Sequence, residues 1–257
     1  MVETNHLINQ IMKKSILILC ATFSLTAFAY KNWSVPETSP PACRQAPIDL
    51  VYAVDSRFMA TISKEDLHRA TSVLDIVPRD AESWWYASFE SVKVALLHDD
   101  YEMAVDGDEK DLNAAQTILL QSADYSTDFY IKARGTTKHP VTGKIEDYVY
   151  YLTIVPEKEA AYAGGYDALI AYLRENSREQ TAIIEEDRLQ PGRVNFTVTK
   201  EGTVSNVNLE SSSGYPSVDQ ALIELIANMP GKWEAAENSK GEKVAQELVF
   251  FFGMMGC

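Results

Sequence analysis

Basic charge is scarce in this sequence, and histidine is scarcer. Lysine and arginine number 23 against 37 aspartates and glutamates, for a formal net charge of −14. Without a basic excess there is no patch to neutralise phosphates, so no nucleic-acid partner is expected. So acidic a balance keeps a chain soluble and by itself names no partner. The four histidines, His6, His68, His98 and His139, stand isolated, and none has metal-ligand spacing. Also missing are G-x-S-x-G, a phosphate-cradling glycine loop and H-E-x-x-H. Asp106, Asp108 and Asp111 sit in DGDEKD, but the glycine at the sixth position and the terminal glutamate of a calcium loop are absent. That run reads as a solvated turn, and Asp99-Asp100 beside His98 as a polar loop. No enzyme, metal or cofactor is expected.

Hydrophobic residues (46%) and charged residues (23%) are in ordinary proportion, which excludes a disordered tail, a collagen and a polytopic membrane protein. A chain of 257 residues exceeds one typical domain and favours two. Near the start, Met12-Lys13-Lys14 precedes an uncharged run from Ser15 to Tyr30 that ends in Ala27-Phe28-Ala29. A basic region, a short apolar stretch and an A-x-A site describe a secretory signal peptide over residues 1–29, translated from Met12 and cleaved before Tyr30. The alternative is an uncleaved, weakly spanning anchor, although the run is shorter than the roughly 20 residues a spanning helix needs. Bulky Leu19 argues against lipidation at Cys20. Cleavage leaves Cys43 and Cys257, one near each end of the mature chain. An oxidising compartment allows them to bridge, and the alternative is two free thiols.

Residues 30–47 form a spacer, with four prolines between Ser34 and Pro47. A first unit spans residues 48–156, closed by the strand Tyr148–Val155 and stopped by Pro156. Glu157-Lys158-Glu159 links it to a second unit, residues 160–257. The first unit is strand-rich: Val92, Val94 and Leu96 alternate in one candidate strand, Phe129, Ile131 and Ala133 in another. Ser63 with Asp66 opens a helix over Leu67, Ala70 and Leu74, and Asn113 with Gln116 forms a capping box before Leu119 and Leu120. Trp84-Trp85-Tyr86 reads as core in preference to a binding surface.

In the second unit, Tyr166, Leu169, Ile170 and Leu173 make an amphipathic helix after Gly164-Gly165. Val194, Phe196 and Val198 alternate in a half-buried strand, and Glu201-Gly202 turns the chain. The return through Val204, Val207 and Leu209 slips by one residue, as a β-bulge would make it. Ser217 with Gln220 caps a second helix whose stripe is Val218, Leu222, Leu225, Ile226 and Met229, ended by Pro230. Leu248, Val249, Phe250, Phe251 and Phe252 form a last strand, apolar on both faces. The expected class is α+β: a two-helix, antiparallel-sheet domain preceded by a mainly β, sandwich-like domain.

Gly165-Tyr166-Asp167-Ala168-Leu169, Gly192-Arg193-Val194, Glu201-Gly202-Thr203-Val204, Ser213-Gly214-Tyr215-Pro216, Asp219 and Met229-Pro230 followed by Trp233 occur in this order. In these residues the second unit resembles the C-terminal domain of TonB, the energy transducer of Gram-negative bacteria. The resemblance marks Gly214, Tyr215, Pro216, Asp219, Pro230 and Trp233 as family positions. It implies a periplasmic, non-enzymatic protein that binds a peptide of an outer-membrane TonB-dependent receptor by adding it as a strand at a sheet edge. The docking edge expected from it is Leu248–Phe252, open to a receptor peptide or to a second copy in a homodimer. If that strand were fully internal, docking there would be lost. Trp233 is expected to pack on the second helix near Leu222 and Leu225. Leu112–Gln116, Leu119-Leu120, Thr127 and Phe129-Tyr130-Ile131, with Ile62–Leu67, resemble the C-terminal domain of the gliding-motility protein GldM, which implies a docking β-sandwich. TonB transducers also hold an inner-membrane helix, pair with an ExbB–ExbD motor and cross the periplasm on a long spacer. A 14-residue spacer reaches roughly 43 Å at the polyproline rise, so the transducer role follows only if residues 12–29 stay in the membrane.

Overall fold

A computed structural model describes residues 49–78, 87–98, 100–137 and 145–254. The signal-like segment 1–29, the spacer 30–47, Trp84-Trp85-Tyr86, Cys43 and Cys257 lie outside these residues. Two principal sheets are present. The first contains β2 (Thr61–Ser63), β3 (Ala87–Leu97), β4 (Glu102–Gly107), β5 (Asp128–Thr137) and β6 (Ile145–Val155), in spatial order β2-β6-β5-β3-β4. Only β2, which pairs with β6, runs parallel to its neighbour. Alternation places Val92, Val94, Leu96, Phe129, Ile131, Ala133, Leu152 and Ile154 in one core.

Helices α1 (Lys64–Arg69), α2 (Val73–Ile76) and α3 (Ala114–Ser122) deliver Leu67, Val73, Ile76 and Leu120 to the same core. Ser63 caps α1 by accepting from the Asp66 N–H, and Asn113 with Gln116 closes a reciprocal capping box on α3. The single helix expected through Leu74 is broken: Ser72 starts a second cap, so Val73 opens α2. Among the described residues the expected sandwich is not formed. The sheet's other face keeps Lys93, Lys132 and Tyr151 partly in solvent, with Lys132 paired to Asp147 at 2.9 Å, and none of the described strands forms a second sheet on it.

The second sheet is wholly antiparallel, in order β1 (Leu50–Asp55), β13 (Gln246–Met254), β8 (Gly192–Val198) and β9 (Val204–Ser211). Helices α4 (Tyr166–Thr181) and α5 (Pro216–Ala227) supply Leu169, Leu173, Val218, Leu222 and Ile226, all buried, and pack on one another and on this sheet. Tyr166, expected in the α4 stripe, is exposed. Short ladders join β7 (Ala161–Tyr162) to β10 (Trp233–Glu234) and β11 (Ala236–Glu237) to β12 (Lys243–Val244). The β8–β9 pairing shifts register twice, so the slip read from the sequence is a bulged strand, and it turns Leu209 out to solvent.

Two expectations are corrected here. Residues 50–55, assigned to the first unit, form β1 and complete the second sheet, so the 48–156 boundary does not hold for them. Consequently Leu248–Phe252 is no edge: it lies between β1 and β8, paired on both sides. Apolar residues on both of its faces are what a central strand carries. Leu248, Phe250 and Phe252 are buried on one face, and Val249 is buried on the other.

Candidate docking edge

The family positions build scaffold at the two ends of α5. Pro216 is its first residue, with Tyr215 at the N-cap, so Ser217 does not cap it as expected. No side chain caps this helix; Asp219, in its first turn, instead ties down the chain leading into it. Asp219 accepts from the Ser213 N–H at 2.8 Å, the Ser213 hydroxyl at 2.6 Å and the Ser212 hydroxyl at 2.5 Å. Gly214 holds φ at +87°, where a Cβ would also stand 2.9 Å from the Arg188 carbonyl oxygen. The Tyr215 hydroxyl accepts from the Glu185 N–H at 2.9 Å. At the far end, the Pro230 carbonyl accepts from the Tyr162 hydroxyl at 2.5 Å. Trp233 is buried against Tyr162 and Phe196, at ring separations of 5.6 and 5.7 Å. Both aromatic partners are strand residues, and the burial of Trp233 agrees with the expected core position. Gly214 to Asp219 and Pro230 to Trp233 are thus two separate clusters, and neither supplies a residue of the second sheet's strands.

With β13 internal, the second sheet ends in β1 and β9 among the described residues, and the two edges differ. β9 has two register shifts, Asn206 in the left-handed region at φ +50°, and polar Ser205, Asn206, Asn208 and Glu210. Bulges and polar side chains of this kind blunt an edge against pairing. β1 instead runs through six consecutive pairs with β13 without a shift, and its sequence LVYAVD carries one charge, at its last residue.

Two hydrogen bonds establish which β1 groups face outward. Arg174 donates to the Leu50 carbonyl at 3.3 Å, while the Glu247 N–H goes to the Ser126 hydroxyl at 2.8 Å just past the end of β1. Counting from Glu247, Val249, Phe251 and Gly253 turn their backbone groups toward β1 and bond Asp55, Ala53 and Val51. Leu50, Tyr52 and Val54 then direct N–H and C=O away from the sheet. Their side chains point to α4: Tyr52 lies against Phe250 and Phe252 and shares a buried 2.8 Å hydrogen bond with Ser177. The Arg174 guanidinium sits 5.4 Å from the Tyr52 ring centroid. Neither β1 nor Arg174 is among the positions the resemblance marked. The continuous apolar run Leu50–Val54 between Asp49 and Asp55 is a strand signal, but its partner is not readable from it.

A charged cluster joins the two sheets, from Arg57 just after β1 to Arg193 on β8 and Glu210 on β9. Arg57 reaches Asp128 at 3.4 Å and Glu210 at 2.5 Å, and Arg193 reaches Glu210 at 3.4 Å. Burial pushes the Asp128 carboxyl above its ordinary 3.8, against the pull of the Thr153 hydroxyl and of Arg57. The folded chain therefore holds this proton more tightly than the unfolded one. The resulting stability is present in full below 3.8 and is lost as pH rises through the raised value. We expect the advantage of Asp128→Asn over wild type to grow with pH across that window and then level off. Urea midpoints for both proteins between about pH 3 and 7 test this, and a difference independent of pH contradicts it.

Among the described residues no group of three or more His, Cys, Asp and Glu could hold a metal ion. No helix among them is long and apolar enough to cross a membrane. The elements define a mixed α/β protein, mostly sheet, with five α-helices among the described residues. Comparison of the chain with protein families, curated proteins and solved structures finds no match.

Proposed function

We propose that this is an exported, non-enzymatic docking protein that takes up an extended peptide of an envelope protein, such as an outer-membrane receptor, as a fifth strand on the outer side of β1. The observation that carries the reading is the contrast between the two edges: β9 is bulged and polar, whereas β1 is regular, apolar and backed by a helix. An edge of that kind presents unpaired N–H and C=O groups that any extended chain can satisfy, while flanking side chains select among sequences. The signal-like residues 12–29 and the spacer to Pro47 support export, and the family resemblance supports strand addition.

The test uses proline on the edge itself. Val54→Pro removes an outward N–H, leaves the bonds to β13 in place, and substitutes a ring of similar bulk on a strand where proline is tolerated. A photocrosslinking residue at Ala53 in cells should give an adduct with an envelope protein. Val54→Pro should abolish that adduct while moving the melting midpoint little, and a crosslinker at Asn208 on β9 should give none. An adduct that survives Val54→Pro in a folded protein sinks the reading.

A further inference from the structure

The flank of this edge carries positive charge that no carboxylate neutralises among the described residues. Arg174 and Arg178 lie four residues apart on α4, both exposed, and neither is ion-paired among the described residues. Of the other described arginines, Arg57, Arg69, Arg188 and Arg193 reach a carboxylate and Arg134 alone does not, pairing being the expected state in a chain of net charge −14. Arg174 instead covers the Tyr52 ring and donates to the Leu50 carbonyl, one of the outward groups of β1. On a helix, position 178 lies on the same side as 174. The outer edge of β1 is therefore flanked by a side of α4 that carries two guanidinium groups with no ion-pair partner among the described residues.

We propose that the strand added at β1 is an acidic peptide, with aspartate or glutamate on the face turned toward α4 and at the Leu50 end. This rests on the reading of β1 as the docking edge and specifies what that edge selects. An incoming strand presents alternate side chains to α4 and to the opposite face. The α4 face offers Arg174 and Arg178, and an arginine–carboxylate pair is charge-assisted and can be bidentate. The opposite face carries Asp55, with Asp49 just before β1, which repel a carboxylate there. Selection is thus for acidic residues at every second position, not for acidity as such. Distant negative charges are screened beyond about 8 Å at physiological salt, so the local arginines decide.

A second copy of the chain fits the same edge less well. Outward groups must meet outward groups, so the fullest antiparallel overlap sets Tyr52 opposite its own counterpart. That register places Asp55 of one copy opposite Asp49 of the other, like charges directly across a ladder.

Random decapeptides displayed on phage, selected against the purified full chain, test the proposal. Selected sequences are expected to carry Asp or Glu at alternate positions within a β-branched stretch. Measured by fluorescence anisotropy as labelled synthetic peptides, they should bind the Arg174→Gln/Arg178→Gln double variant about five- to tenfold more weakly, and more weakly still at raised salt. Val54→Pro should remove binding altogether. Peptides that depend on Val54 but carry no acidic pattern, or ignore the two arginines, overturn the acidic partner and leave the edge standing. Binding that survives Val54→Pro, or a selection that enriches nothing, overturns the edge and the acidic partner together. A dimer in sedimentation that Val54→Pro dissolves shows the edge taken by a second copy, which also overturns the proposal.

Discussion

Val249→Pro is expected to unfold the second sheet, whereas Val→Pro one pair away on the edge strand, at Val54, is expected to be tolerated. Val249 lies opposite Asp55 on one side and Asn195 on the other, and it is buried. Proline there deletes the N–H directed at β1 and pushes its ring into a neighbouring backbone, in a strand that cannot shift because both sides are paired. A helix-interior proline costs about 3 kcal/mol, and an interior strand position lacks even the option of bending into solvent. Against a total stability of about 5–15 kcal/mol, a loss of that size together with a disrupted core leaves little folded protein at ambient temperature. Circular dichroism melts of Val249→Pro and Val54→Pro, run side by side, read the difference. A cooperative melt near the wild-type midpoint for Val249→Pro would mean that β1 does not pair where the structure places it, and would return Leu248–Phe252 to the edge.

Trp233→Ala should cost about 3–5 kcal/mol, the range for removing a large buried aromatic. The indole is wedged between Tyr162 of β7 and Phe196 of β8, so its loss opens the end of the core that the two-residue β7–β10 ladder closes. The backbone of the same residue is equally constrained. Its N–H donates to the Gly202 carbonyl at 3.1 Å, and its own carbonyl would stand 2.1 Å from a Cβ at Gly202, where φ is +74°. The hairpin turn after β8 is thus packed onto Trp233 through main-chain atoms that substitution at 233 leaves in place. The Trp233 Nε1 is buried and makes no hydrogen bond, so Trp233→Phe forfeits volume but no polar contact. It should cost clearly less than the alanine change. Denaturant titrations of the three proteins give the comparison. An unchanged midpoint for Trp233→Ala would defeat the core assignment, and equal losses for Phe and Ala would show that the indole N–H is bonded after all.

What the sequence determined by itself is whatever short range decides. Period-two alternation placed Val92, Val94 and Leu96, and Phe129, Ile131 and Ala133, on a buried face, because successive side chains of a strand point to opposite sides whatever lies beyond. The Ser63 cap and the Asn113–Gln116 box were legible because their bonds span three residues. The slip in Val204, Val207 and Leu209 announced the bulge for the same reason. Tertiary structure decided the rest, and the deciding partners are far apart in the chain. A run as apolar as Leu248–Phe252 satisfies both a covered edge and a central strand, and only β1, some 200 residues upstream, makes it central. Whether the first sheet met a second sheet or helices depended on where α1, α2 and α3 packed, not on its own alternation. The β1 edge, Arg174 bound to its Leu50 carbonyl and the Arg57–Asp128–Glu210 cluster join residues from different elements. No local pattern carries such a pairing, because register between distant strands is set by burial of the whole face at once.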